Sequence, residues 1–128
     1  MKLKELCKKY DLKATDEFWA TDEVELAYIY NGAGPDWLPE FGRDILTKFL
    51  ELFKAAFVIH DFDFDRSDGT KKSFDEANLR MKHNMKKILN IEYPFRKFWR
   101  WITRSRWWSR AKLAYTFCDQ FGWSAWVD

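Results

Sequence analysis

Cysteine is scarce in this chain of 128 residues: there are two, Cys7 and Cys118, near opposite ends. Two distant thiols make neither a disulfide framework nor a knuckle of closely spaced metal ligands, so a reduced compartment is the expected setting. Five glycines and three prolines leave little room for long flexible linkers. No run approaches the roughly 20 apolar residues a transmembrane helix needs. The lysine-rich start, Met1 to Lys9, lacks the apolar stretch of a secretion signal. The chain is therefore expected to be cytoplasmic as synthesised. A net charge of +2 supplies no global field aimed at nucleic acid. There is no internal repeat and no low-complexity tract.

What the chain has in quantity is aromatic side chains, 20% of all residues, with 12 Phe and 8 Trp. That content argues against disorder, and the length suits a single domain with one core. Charge is unevenly placed. Residues 94–114 carry seven Lys or Arg and no Asp or Glu, whereas 61–68 is acidic.

The spacing of apolar residues predicts a mainly helical fold. Residues 2–10 suit a short helix, and Asp16 is a plausible N-cap for a turn through Phe18 and Trp19. Residues 22–30 fit helix or strand. Asn31-Gly32-Ala33-Gly34-Pro35 cannot continue a helix, and Pro39 and Gly42 extend the irregular segment. It reads as a surface turn, or as a loop whose carbonyls converge on an ion or whose N–H groups meet an anion. Residues 43–65 then place Phe49, Leu50, Phe53, Ala56, Phe57, His60 and Phe64 on one face, with a possible break between Leu50 and Phe53. Asp61 lies about 100° round from His60, facing an adjacent groove.

The run Asp61-Phe62-Asp63-Phe64-Asp65 is no EF-hand. Its sixth position is Arg66 rather than Gly and its twelfth is Lys72 rather than Glu. Gly69 instead bends a polar turn between two helices. The second helix, capped by Ser73 with Glu76 as its capping-box partner, carries a stripe of Phe74, Ala77, Asn78, Met81, Met85 and Ile88. Asn78 is the polar exception on it. Antiparallel packing across the short turn brings Asn78 near His60. Taken alone, His60 also fits a satisfied core residue and Asn78 an amide bonded to a backbone carbonyl. His83 lies off the stripe and is expected in solvent.

Tyr93-Pro94 ends that helix. Beyond it, Phe95, Phe98, Trp99 and Ile102 share an apolar face, and Arg96, Arg100 and Arg104 a basic one. Residues 95–112 suit a peripheral phospholipid surface, with single-stranded nucleic acid ranked last. A core helix whose arginine stems cover aromatic rings is the plainer reading. A further helix, a Gly122 bend and a docked end with Trp123 and Trp126 complete the chain.

In this order, Tyr30-Asn31-Gly32-Ala33-Gly34-Pro35, then His60-Asp61 with Phe64, then Ala77-Asn78, the sequence resembles the secreted phospholipase A2 family over about residues 28–89. The resemblance implies a small single-domain helical fold with two antiparallel core helices, 43–65 against 73–89, and an irregular calcium-type loop. Residues 94–128 are then a basic, Trp-rich extension packed on it. It implies Ca²⁺ held by the carbonyls of Tyr30, Gly32 and Gly34 and by the Asp61 carboxylate. His60 becomes the general base that activates water, and Asn78 holds its far nitrogen. The Gly32 N–H faces the oxyanion, and Phe64 packs where the family has Tyr. The implied reaction cleaves a phospholipid acyl ester. Four departures stand out. Asn78 replaces an Asp; Ala33, Ala56 and Phe57 replace cysteines; the loop-to-His60 spacing is long; and no export signal precedes the loop. The missing disulfides fit a bacterial or phage-type relative, peripheral to a membrane or associated with a virus. The replaced Asp fits a catalytically inactive, structural or partner-binding module.

Overall fold

The structure, a computed structural model, describes residues 2–30, 43–94 and 101–121, with backbone alone at 43–46, 117, 120 and 121. Seven helices follow one another in the described residues: α1 (Leu3–Lys9), α2 (Asp16–Ala20), α3 (Glu23–Ile29), α4 (Arg43–Leu52), α5 (Lys54–Asp65), α6 (Lys71–Glu92) and α7 (Trp101–Phe121). None of these is a strand, so the ambiguous stretch 22–30 is helix. Its entry is set by the Asp22 side chain, which accepts from the Glu25 N–H at 2.8 Å. That is an N-cap bond, satisfying one of the backbone donors that a helix start leaves open.

Two other caps lie upstream of where the sequence placed them. Thr15, not Asp16, caps α2, its hydroxyl accepting from the Phe18 N–H at 3.2 Å. Thr70, not Ser73, caps α6 and accepts from the Ser73 N–H at 3.2 Å. Asp68 explains the second shift. Its Oδ1 accepts from the Thr70 N–H at 2.9 Å and from the Ser73 hydroxyl at 2.6 Å, bracing the extra turn. Those bonds hold the Asp68 carboxyl down at about 2. Gly69 makes the expected bend at φ +79, where a side chain would be strained.

The break expected between Leu50 and Phe53 falls at Phe53, which separates α4 from α5 with φ −100 and ψ 13. Phe49 and Phe53 are both fully buried there, with ring centroids 5.0 Å apart. Beyond it α5 departs from the one-faced pattern. Ala55, Val58, Ile59 and Phe62, off the expected stripe, are buried together with Ala56 and Phe57. The helix packs against α1, α3, α4 and α6, and a helix surrounded on all sides needs apolar residues all round. Phe64, expected inside, is 36% exposed. It lies in the last turn of α5, where the chain leaves for the polar loop 66–70. Phe62 is the inward ring instead, edge-on to Phe18 at 5.4 Å.

On α6 the whole expected stripe is buried, and so are Asn84 and Leu89. His83 is exposed, as its position off the stripe predicts. The polar interior residue Asn84 is accounted for: its Oδ1 accepts from the Lys13 N–H at 2.9 Å and its Nδ2 donates to the Lys13 carbonyl at 2.8 Å. One side chain thus replaces a missing backbone partner for the α1–α2 linker. The same face of α6 takes Tyr10, whose hydroxyl donates to Glu92 at 2.8 Å, and Asp11, whose carbonyl accepts from the Lys87 ammonium at 2.6 Å.

The helix α7 continues unbroken through residues expected to start a separate helix. Arg104, Trp107, Ala111, Ala114 and Cys118 are buried at alternating three- and four-residue spacing, and α7 lies along α6. Arg104 was expected on a basic outer face. Instead it turns inward, donating to the Tyr93 carbonyl at 3.3 Å and to Asn90 Oδ1 at 2.7 Å. Those acceptors sit at the end of α6, where carbonyls lack intrahelical donors. Ile102, read as part of an apolar face that would lie on a membrane or in the core, is exposed. Phe95, Arg96, Lys97, Phe98, Trp99 and Arg100, and Gly122, Trp123 and Trp126, lie outside the described residues. No helix among the described residues is long and apolar enough to cross a membrane.

Candidate functional site

The two helices α5 and α6, joined by the loop 66–70, bring the expected pair together. His60 Nε2 and Asn78 Oδ1 are 2.9 Å apart. An amide oxygen can only accept, so Nε2 carries the proton and Nδ1 keeps its lone pair. Asn78 is fully buried, and His60 is half-buried. Burial lowers the imidazole pKa from its ordinary 6.5, and the bond to Asn78 opposes that shift in part. The ring is therefore neutral at neutral pH, as a proton acceptor must be. Asn78 Nδ2 has no hydrogen-bond partner among the described residues. A buried donor left unpaired costs about 1–3 kcal/mol, so the amide is held there at some expense to stability.

Asp61, the next residue on α5, is half-buried and has no hydrogen-bond or ion-pair partner among the described residues. Burial pushes its carboxyl up to about 6. Its charge reaches the Tyr30 phenol, which is raised first by burial and then by Asp61. It also reaches the Cys118 thiol, pushed up to about 12 by burial and then by Asp61. The packing of α3 on α5 carries Tyr30, the residue just before the glycine-rich segment, within electrostatic reach of Asp61. Gly32 and Gly34 lie outside the described residues.

A carboxylate that is desolvated, with no donor or cation against it among the described residues, suits a divalent ion. Among the described residues no group of three or more His, Cys, Asp or Glu side chains could hold a metal. The ligand set the resemblance implies is of another kind, one carboxylate and several backbone carbonyls. Of that set the described residues include Asp61 and Tyr30.

No family model, curated protein or solved structure matches the chain.

A second polar bridge links the same helices and was not anticipated. Arg80 donates to Asp63 Oδ2 at 2.6 Å, with the Asp63 side chain only 7% exposed. Burial raises the Asp63 carboxyl, and the Arg80 charge and hydrogen bond pull it back. Asp63 follows His60 by three residues and Arg80 follows Asn78 by two, so the ion pair and the His60–Asn78 bond fix one helix pair at two points. Spacing held the signal for Asn84, three residues on from Met81 on a stripe read as apolar, whereas Asp63 lies four on from Ile59, off the expected stripe of α5. At the far end of α5, Arg66 is gathered by Glu17 at 3.0 Å, by Glu25 at 2.6 Å and by Asp65, which ties α2 and α3 to the turn.

Proposed function

We propose that the chain hydrolyses an acyl ester of a phospholipid with calcium, using water activated by His60. The observation that carries this reading is the 2.9 Å bond from His60 Nε2 to Asn78 Oδ1. It leaves Nδ1 as the proton acceptor on a ring that burial keeps neutral. In this reading His60 takes a proton from water as it attacks the ester carbonyl. Asn78 holds the ring in the required tautomer and orientation. Asp61, with the carbonyls of Tyr30, Gly32 and Gly34, would hold the ion, and the Gly32 N–H would face the developing oxyanion. Calcium bound there would supply positive charge for that oxyanion. The products are a free fatty acid and a lysophospholipid.

Phosphatidylglycerol vesicles with calcium and with a chelator provide the test, with fatty acid measured by mass spectrometry. Release should require calcium and should vanish in His60→Ala and Asp61→Asn. Release at the parent rate from His60→Ala protein would discard the mechanism.

A second reading has its own support. Asn78 stands where a carboxylate would better stabilise imidazolium, and its Nδ2 is unpartnered among the described residues. Both fit an inactive module that keeps the helix pair as a structural or partner-binding body, in a virus particle or beneath a membrane.

A further inference from the structure

We infer that the outward face of α7 docks on an anionic phospholipid bilayer. The inward face of this helix is fully used by Arg104, Trp107, Ala111, Ala114 and Cys118. Its outward face nevertheless carries large apolar side chains: Trp101 is 54% exposed, Ile102 56% and Leu113 37%. At 100° per residue, Ile102 and Leu113 are nearly in line, eleven residues apart. Arg106 lies on one flank of that line, Lys112 and Trp101 on the other. Arg106 and Lys112 are exposed and have no partner among the described residues. Arg110, by contrast, is engaged over the Trp107 ring at 4.7 Å, and Arg104 is bonded to the end of α6.

Trp at the rim, aliphatic residues along the centre and uncommitted cations on the flanks match the layers of an anionic membrane surface. Acyl chains take the aliphatic groups, the interfacial zone takes the indole, and the lipid phosphates take the cations. The described part of α7 carries one acidic residue, Asp119, on the Lys112 flank near the helix end, against the cations Arg106 and Lys112 on this face. Two other occupants fit less well. A second copy related by a two-fold axis would set this basic face against itself. A single-stranded nucleic acid would find Ile102 and Leu113 where stacking needs rings. The inference deepens the lipid reading above and rests on it, because both require the chain to work at a phospholipid surface.

The test is co-sedimentation of the full chain with phosphatidylcholine vesicles, with and without phosphatidylserine. The parent should bind only the vesicles that contain phosphatidylserine, and added salt should release it. An Arg106→Gln/Lys112→Gln double variant should bind about thirtyfold more weakly, and an Ile102→Ser/Leu113→Ser double variant at least about tenfold. All four positions are exposed, so both variants should melt with the parent. Indifference to phosphatidylserine, or parent-like binding by both variants, overturns the inference. So does loss of monomer in sedimentation velocity without lipid, or retention on single-stranded DNA with no affinity for vesicles. His60→Ala protein should bind as the parent does. Binding without turnover in the parent would leave this face standing and remove the hydrolytic reading alone.

Discussion

The Nε2–H of His60 donates to Oδ1 of Asn78 across 2.9 Å, so one fully buried amide selects the tautomer of the imidazole. At neutral pH, ¹⁵N spectra should show a neutral His60 ring protonated on Nε2. Because burial lowers the pKa, the unfolded chain takes up the proton first as pH falls. Stability from the neutral ring is thus present above about 6.5 and declines below it. A ring protonated on Nδ1, or charged at neutral pH, would contradict the arrangement.

Asn78→Asp tests whether the site is working or degraded. A carboxylate beside the ring favours the imidazolium that forms when His60 takes a proton. In a serine protease the opposite change, Asp to Asn beside the catalytic histidine, costs ~10⁴ in rate. An increase of about tenfold or more in calcium-dependent fatty acid release would place this chain among slow but genuine hydrolases. No gain, with calcium still bound and the fold intact, would favour the module without chemistry.

Asp61→Asn should stabilise the protein in the absence of calcium. Burial pushes the Asp61 carboxyl up to about 6 from 3.8, so ionising it opposes folding. As pH rises the unfolded chain ionises first. The penalty is therefore absent below 3.8 and complete above about 6. Removing it should gain roughly 2–3 kcal/mol near neutral pH and nothing at about pH 3. Calcium should raise the melting temperature of the parent and leave that of the variant where it was. A variant that melts below the parent at neutral pH would mean the carboxylate is satisfied by a partner.

Arg80→Met leaves Asp63 buried without its cation. Unfolding free energy should fall by about 3 kcal/mol near pH 7, the low end for a broken buried pair because Arg80 is partly exposed. Removing the cation raises the folded pKa of Asp63 further, so the loss should shrink as acid protonates the carboxyl. Adding Asp63→Asn should recover most of the stability. A double variant no better than the single one would assign the loss to the arginine stem instead.

Much of the α5–α6 pair was legible because its residues announce themselves twice, by type and by spacing. His60 and Asn78 are polar residues at apolar intervals, and a short polar turn folds one interval onto the other. The bend at Gly69 and the end of α6 at Tyr93-Pro94 were marked by residues that stop or redirect a helix. Where the sequence misled, tertiary contact had overruled local pattern. The one-faced reading of α5 failed because α1 and α3 cover what should have been its open side, so apolar residues surround the helix. Arg104 looked like a solvated cation, yet the end of α6 needed donors. Asn84 was legible as buried by its spacing from Met81, but its partner, the Lys13 peptide, was not.

The ties Tyr10–Glu92, Asp11–Lys87 and Lys13–Asn84 have a consequence for the order of assembly. Each joins groups more than 70 positions apart, so each closes a long stretch of chain at a high entropic cost. The hairpin of α5 and α6 needs only the loop 66–70 to close. The expected sequence of events is that this hairpin forms early and the amino-terminal segment clamps onto it late. In pulse-labelled hydrogen exchange, amides of α6 should gain protection before those of α1; simultaneous protection would indicate a single concerted collapse.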